Sequence, residues 1–499
     1  MVHSRHTRAR HTRSRPLAGL VASLTVVLLA TACATSGGGG NGSPFHGRPG
    51  PYWSPVPGPV DPEREPRSTF AIDIDTASYN FARRQILDGV RPDPQTVRPE
   101  EFLNAFRQDY PQPAGTGFTV SLDGSRLPRE HHAPDEGPVR LLRVGLQTRG
   151  EDPTVRPDAA LTFVVDVSGS MAEPGRLDLV QDALHTLVDQ LRNTDSVAIV
   201  AYETDAHVLR EMTAVHSRPV LHRAIDRLAA GGATNLEAGL VTGYQVARAG
   251  FIPDATNRVI LLSDGLANVG NTQAEPILRQ IREEAAKKIA LLGVGVGSEY
   301  GDALMERLAD EGDGFVTYVS EREQARQLFV HRLPATLTIR ALDAKVQVTF
   351  DPTTVASYRL IGYDDRALAA SDFRNDHVDG GEVGPGHSVT ALYLVQLRAR
   401  AGLTGPIAEA RVHWFDPDTR EPYERAATID VEDLAGDFAG GSPRLQVCYV
   451  AAYFAEQLRH SRYAEEIEPG VLRVIAGDAY HATDDPQVRE LADLIGRMF

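Results

Sequence analysis

The stretch LTFVVDVSGSM, residues 161–171, decides how this chain is read. An apolar run ends abruptly in Asp166, and Ser168 and Ser170 follow within four residues. A strand with no polar alternation belongs in a sheet covered on both faces. The pattern continues downstream. In RLDLVQDALHTLVDQLR, Leu177, Val180, Leu184, Leu187, Val188 and Leu191 share one helical face. DSVAIVAY, RVILLSDG, IALLGVGVG and GFVTYVS read as further strands. PVLHRAIDRLAAGG, NLEAGLVTGYQVARAG, QAEPILRQIREEAAKK and DALMERLADEG read as helices between them. Such alternation predicts an α/β domain over about 155–332, a parallel sheet with helices on both faces.

In an open sheet of this kind, ligands sit beyond the carboxyl ends of the strands. Asp166 ends one strand and Asp264 ends another, while GGATNLEAGL puts Thr234 at the mouth of a helix. Three segments thus bring Asp166, Ser168, Ser170, Thr234 and Asp264 to one edge. Every donor is a hard oxygen, which suits Mg2+, or alternatively Mn2+ or Ca2+, and does not suit zinc. Hydroxyls are neutral, so the two aspartates alone oppose the charge of the ion. Part of its shell is left for water or for an external carboxylate. Taken singly, the same residues also fit a helix cap at Ser170 and an ordinary turn at Asp264.

DVSGSM, GGATNL and LLSDG resemble, in order and spacing, the metal-ion-dependent adhesion site of von Willebrand factor type A (VWA) domains. The resemblance implies a Rossmann-like fold and direct coordination by the hydroxyls of Ser168, Ser170 and Thr234. It implies coordination by Asp166 and Asp264 directly or through water, and a protein partner whose acidic side chain completes the shell. Further segments, STFAIDIDTASYNFARRQILDGVRPDP, SDGLANVGN, GVGVG and YRLIGYDDRAL, resemble the YfbK type of bacterial envelope proteins. That family has an N-terminal von Willebrand-associated domain, a VWA domain and a C-terminal domain of unknown function. The resemblance sharpens architecture more than activity.

Residues 1–32 read as a secretory signal, with five arginines, no acid and a short apolar run ending in small residues. The LLATAC junction resembles a bacterial lipoprotein signal, which implies acylation at Cys33 and a lipid-anchored, extracytoplasmic protein. A Gly/Pro-rich tether covers residues 33–67. A coil of that length spans roughly 30 Å on average. Without the five leading arginines, 46 basic residues face 67 acidic ones, net −21 against −16 for the whole chain. That balance argues against nucleic acid as a partner and leaves membrane attachment to acyl chains.

Residues 68–154 form an N-terminal unit with a strand, two helices and two more strands. Residues 333–499 form a β-rich and helical unit with strands KVQVTF and IAEARVHWF and helices from about 443. The strands before 150 and after 335 are expected to share one β domain, with the α/β domain inserted between them. Cys448 falls on one helical face with Ala451, Ala455 and Leu458 and reads as a buried thiol. Asp73 and Asp75 in AIDIDTAS read as structural, and His131 and His132 as solvated. No nucleophile with a supporting base is evident, so the expectation is a binding protein and not an enzyme. Two other readings stay open: an envelope scaffold or assembly factor with a purely stabilising metal, and a metal-dependent hydrolase.

Overall fold

The computed structural model describes residues 56–129, 131, 138–150, 156–265, 274–285, 287–297, 314–326, 339–378, 380–400, 403–417 and 419–499, with 305, 308, 309, 312, 328 and 329 as single positions. The signal sequence, Cys33, the tether up to residue 55, His132 and most of DALMERLADEG lie outside the described residues, as does the chain directly after Gly265.

The chain enters through β1 (Arg67–Ala71), α1 (Ala77–Leu87), α2 (Pro99–Asn104), β2 (Phe118–Arg126) and β3 (Val139–Thr148). The α/β domain follows as β4 (Ala159–Asp166), α3 (Leu177–Gln190), β5 (Ser196–Tyr202), β6 (Ala206–Ala214), α4 (Arg218–Ile225), α5 (Leu236–Ala249), β7 (Thr256–Ser263), α6 (Ala274–Ala285), β8 (Ile289–Val296), β9 (Phe315–Val319) and α7 (Arg322–Arg326). Its sheet runs β6-β5-β4-β7-β8-β9. Residues of β4 alternate between two cores. Leu161, Phe163 and Val165 pack with α3 and α4, and Val164 packs with α5 and α6. Both faces are covered, which explains why the strand carries no polar alternation.

Two expectations for the α/β domain need correction. The sheet is mixed rather than wholly parallel, because β6 pairs antiparallel with β5 at the edge. Its residues AHVLREMTA are half-buried or exposed throughout, so the segment lacks the apolar signal of its neighbours. The helix read into PVLHRAIDRLAAGG ends at Ile225. The residues beyond it turn towards the site instead, where Gly231 donates to the Val167 carbonyl at 2.7 Å and Gly169 to the Gly232 carbonyl at 3.1 Å.

The remaining strands are β10 (Ala341–Phe350), β11 (Val355–Ile361), β12 (Ala367–Leu368), β13 (Gly381–Val383), β14 (Ser388–Leu397), β15 (Pro406–Phe415) and β16 (Pro422–Asp430). They complete two antiparallel sheets. One runs β12-β1-β10-β15-β16 with β13 on β10, the other β11-β14-β3-β2. Strands from both sides of the α/β domain therefore pair, β1 with β10 and β3 with β14. Leu142 and Val144 of β3 face the other sheet. Leu141 faces the C-terminal helices α8 (Pro443–Leu458), α9 (Pro469–Thr483) and α10 (Pro486–Met498). Cys448 is buried as read, but α8 is buried on nearly every side and not on one face. Burial pushes its thiol pKa up. His131 departs from the solvated reading: its Nδ1 lies 3.1 Å from the Tyr449 hydroxyl and its ring stands edge-on to Tyr453.

Asp73 and Asp75 do structural work. Asp73 accepts from the Asp75 backbone N–H at 2.8 Å, and Asp75 accepts from the Val316 N–H at 2.9 Å, which ties the N-terminal unit to β9. Beside them lies Glu100, 3% exposed. Burial, reinforced by the Asp73 charge, pushes its pKa up to about 7. A raised folded-state value means the unfolded chain binds fewer protons between the ordinary value of 4.5 and about 7. Stability is then fully present below that window and is lost as pH rises through it. The cost above pH 7 is on the order of 3 kcal/mol at most. Glu100→Gln should raise the melting temperature at pH 8 and give no gain at pH 4.5. An equal shift at both pH values would exclude a charged, buried Glu100.

Candidate metal centre

The order of strands places a switch point at β4. The chain leaves β4 to one side for β5 and returns on its other side as β7. Ligands collect at the carboxyl ends of strands at such points. Asp166 ends β4, level with Tyr202 of β5, and Asp264 follows β7 directly. Both carboxylates sit at this crevice, and both are nearly inaccessible, at 0% and 3%.

Asp166 is held at both oxygens. Oδ1 accepts from the Ser168 backbone N–H at 2.9 Å. Oδ2 accepts from the Ser263 hydroxyl at 2.7 Å and the Tyr202 hydroxyl at 3.3 Å. Burial raises its pKa above the ordinary value, while hydrogen bonds from Ser168 and Ser263 pull the other way. The Ser168 and Ser170 hydroxyls meet at 3.1 Å. Ser170 in turn donates to Asp264 Oδ1 at 2.9 Å, so the first loop is bonded to the end of β7. Ser170 does not cap α3, since the chain first makes a short helical turn over Gly169–Ala172.

Thr234 is 5% exposed and lies just before α5. The approach of α5 to the sheet depends on two glycines. A Cβ on Gly239 would fall 2.6 Å from the Tyr202 ring, and one on Gly243 2.3 Å from a Val164 methyl. Bare backbone lets the helix lie against β4 and β5, and its N-terminal loop is bonded to the Ser168 loop as described above. All five residues read from the sequence are therefore carried by the end of β4 and the three segments that follow β4, precede α5 and follow β7, at the carboxyl end of the sheet.

Three contributors were missed. Ser263 and Tyr202 orient Asp166; the first directly precedes Asp264 in LLSDG, and the second ends the neighbouring strand. The third is Arg176, 4% exposed, whose guanidinium lies on Asp264 Oδ2 at 2.5 Å. It also donates to the Ser170 carbonyl at 3.3 Å and to Glu173 at 2.6 Å. Gly297, at φ +91°, leaves room for it: a Cβ there would come within 3.0 Å of the arginine side chain. A signal existed in the sequence. Arg176 stands immediately before the first turn of α3, where the helix dipole disfavours a cation unless something else holds it.

The donor chemistry fits a hard divalent ion. Two carboxylates and hydroxyl oxygens converge, and a cationic group already rests on Asp264. Among the described residues no three His, Cys, Asp or Glu side chains gather as metal ligands. This set has two carboxylates and supplements them with hydroxyls.

Comparison with known proteins agrees with this architecture. The von Willebrand factor type A domain family matches residues 160–331, and a von Willebrand factor family matches residues 57–133. Residues 335–498 match the family "Uncharacterized protein YfbK, C-terminal". The chain is 32% identical over 382 residues to "Uncharacterized protein YfbK" of Escherichia coli (strain K12), covering 72% of this chain. It spans 66% of that relative's own length. Among solved structures, a von Willebrand factor type A protein from Catenulispora acidiphila aligns at TM-score 0.45 and 15% identity, over 75% of this chain and 89% of that one. Proximal thread matrix protein 1 from the mussel byssus, solved with a zinc-occupied MIDAS motif, aligns at TM-score 0.31 and 22% identity, over 36% and 46%.

Proposed function

This chain belongs to the YfbK-like family of VWA-domain proteins, and from that premise we propose that it recruits a protein partner through a divalent metal. Asp166, Ser168, Ser170, Thr234 and Asp264 hold the ion, with Mg2+ the best fit and Mn2+ or Ca2+ as alternatives. VWA domains with such sites bind divalent metal and typically mediate protein–protein interactions. The metal supplies an electrophilic position for an acidic side chain of the partner. The observation that carries this reading is the charge balance at the crevice. Arg176 offsets Asp264 while also bonding the solvent-exposed Glu173, so the buried groups, two carboxylates and one guanidinium, contribute a net charge of about −1 to a site for a dication. Such a site binds metal modestly and leaves it hungry for an external carboxylate.

Among the described residues, the Ser168 and Ser170 hydroxyls contact each other and Ser170 bonds Asp264, with no imidazole or amine against them. The reading therefore contains no activated nucleophile, and we propose a binding role rather than an enzymatic one. Cys33 would anchor the chain to the outside of a bacterial membrane by its lipid, with the tether giving reach.

Affinity capture from native envelope extracts tests the proposal. Wild-type protein with Mg2+ should recover a partner that is lost with chelator and with Asp166→Ala. Recovery that survives both changes would remove metal bridging from the account.

One observation favours a scaffold as the second reading. Arg83 of α1 bonds Glu490 of α10 at 2.6 Å and lies 3.4 Å from Glu321 beside β9. The α/β domain is thereby keyed to its neighbours. A scaffold would lose melting temperature on chelation but keep its partner.

A further inference from the structure

A second cluster of metal-seeking groups lies away from the Asp166 centre. Helix α3 carries a His-x-x-x-Asp segment, HTLVD at 185–189, and a second, HRAID at 222–226, runs from α4 to the residue that caps its end. Residues four apart share a helix face. The pairing is crossed. His185 Nε2 faces Asp226 at 3.2 Å, and His222 Nε2 faces Asp189 at 3.1 Å. The two Nδ1 atoms face each other at 2.7 Å. Ring centroids 4.9 Å apart and planes 24° apart place the rings edge to edge, nitrogen to nitrogen. The four side chains form one line, Asp226, His185, His222, Asp189.

Proton counting shows what the middle of this line needs. An ionised carboxylate only accepts, so each Nε2 carries its proton. A neutral imidazole has one proton, which leaves both Nδ1 atoms presenting lone pairs to each other. A cation between them resolves the conflict. It is either a third proton or a metal ion. Carboxylates behind the outer nitrogens are also the arrangement that orients imidazole ligands and raises their basicity in metal sites. The histidine side chains are 31% and 27% exposed and the aspartates 63% and 58%, so an ion can enter from solvent.

We propose that His185 and His222 form a second metal site, selective for an imidazole-seeking ion, zinc foremost, and separate from the oxygen-lined centre. Nitrogen ligands suit zinc and copper, whereas hydroxyls and carboxylates suit magnesium. Zinc–nitrogen bonds of about 2.0–2.1 Å in tetrahedral geometry set the nitrogens roughly 3.3 Å apart, so the rings must part by roughly 0.6 Å and each swing by roughly 35° to turn its lone pair onto the ion that replaces the proton. Water fills the open positions.

The test is zinc titration of the full chain in excess Mg2+, which keeps the oxygen-lined centre occupied, together with Cu2+ electron paramagnetic resonance. Wild type and Asp166→Ala should both take up this zinc equivalent and show Cu2+ with two imidazole nitrogens. His185→Ala/His222→Ala should lose one equivalent and the two-nitrogen signal. Asp189→Asn/Asp226→Asn, which keeps both ligands and guards against misfolding of the double alanine variant, should bind zinc about 10- to 100-fold more weakly. Unchanged zinc stoichiometry in the histidine variant overturns the site. So does loss of the equivalent in Asp166→Ala, which would assign it to the other centre.

Discussion

Asp166→Ala should weaken Mg2+ and Mn2+ binding by about 100-fold or more, with the chain still folded. Ligand charge count tunes the affinity of oxygen-lined sites over several decades. This site has two carboxylates, one of them already offset by Arg176. Removing Asp166 would leave the pair Asp264 and Arg176, nearly neutral, with little to hold a dication. Three donors converge on Asp166, from Ser168, Ser263 and Tyr202. The alanine variant strands them and opens space at the end of β4, so some stability is lost as well. Asp166→Asn separates the effects, because it keeps volume and removes charge. Calorimetric titration on both variants, with far-ultraviolet circular dichroism as the folding check, reads the result. Near wild-type affinity in Asp166→Asn would place the metal elsewhere.

Arg176→Gln should act in the opposite direction on metal and in the same direction on partner. The guanidinium and an incoming dication compete for Asp264. Repulsion between them is on the order of 1–2 kcal/mol even at water-like screening. Its removal should tighten Mg2+ binding by about tenfold. The metal-free variant also leaves the Asp264 carboxylate buried without its cation, so the rise in melting temperature on adding Mg2+ should exceed that of wild type. Capture of an acidic ligand should weaken, since the bound ion is then better neutralised by protein. Tighter metal with weaker carboxylate capture is the signature. A parallel loss of both would make Arg176 a plain structural brace.

The strands of the α/β core were legible because burial on both faces leaves an uninterrupted apolar run, as in LTFVVD. Asp166, Ser168, Ser170, Thr234 and Asp264 were legible because strand ends are where such a fold collects ligands. What escaped has physical causes. Strand β6 sits at an edge and needs no apolar face, so AHVLREMTA carries no period. Helix α8 is enclosed on nearly every side, so picking one face from Cys448, Ala451 and Ala455 understated its burial. Arg176 escaped because an isolated arginine reads as solvated surface. Only the tertiary fold brings Asp264 to it across 88 residues of chain. The two His-x-x-x-Asp segments were each visible in the sequence, but their crossed pairing depends on how α3 and α4 pack.

The central claim is that a metal at the Asp166 centre binds a carboxylate from outside the protein. Electron–nuclear double resonance on the Mn2+-loaded chain, with N-acetylglutamate carrying carbon-13 in its side-chain carboxylate, tests it most directly. The account predicts a carbon-13 coupling of a directly ligated carboxylate in wild type, and its absence in Asp166→Ala. Coupling from water alone at saturating ligand, or the same carboxylate coupling in Asp166→Ala, would contradict it.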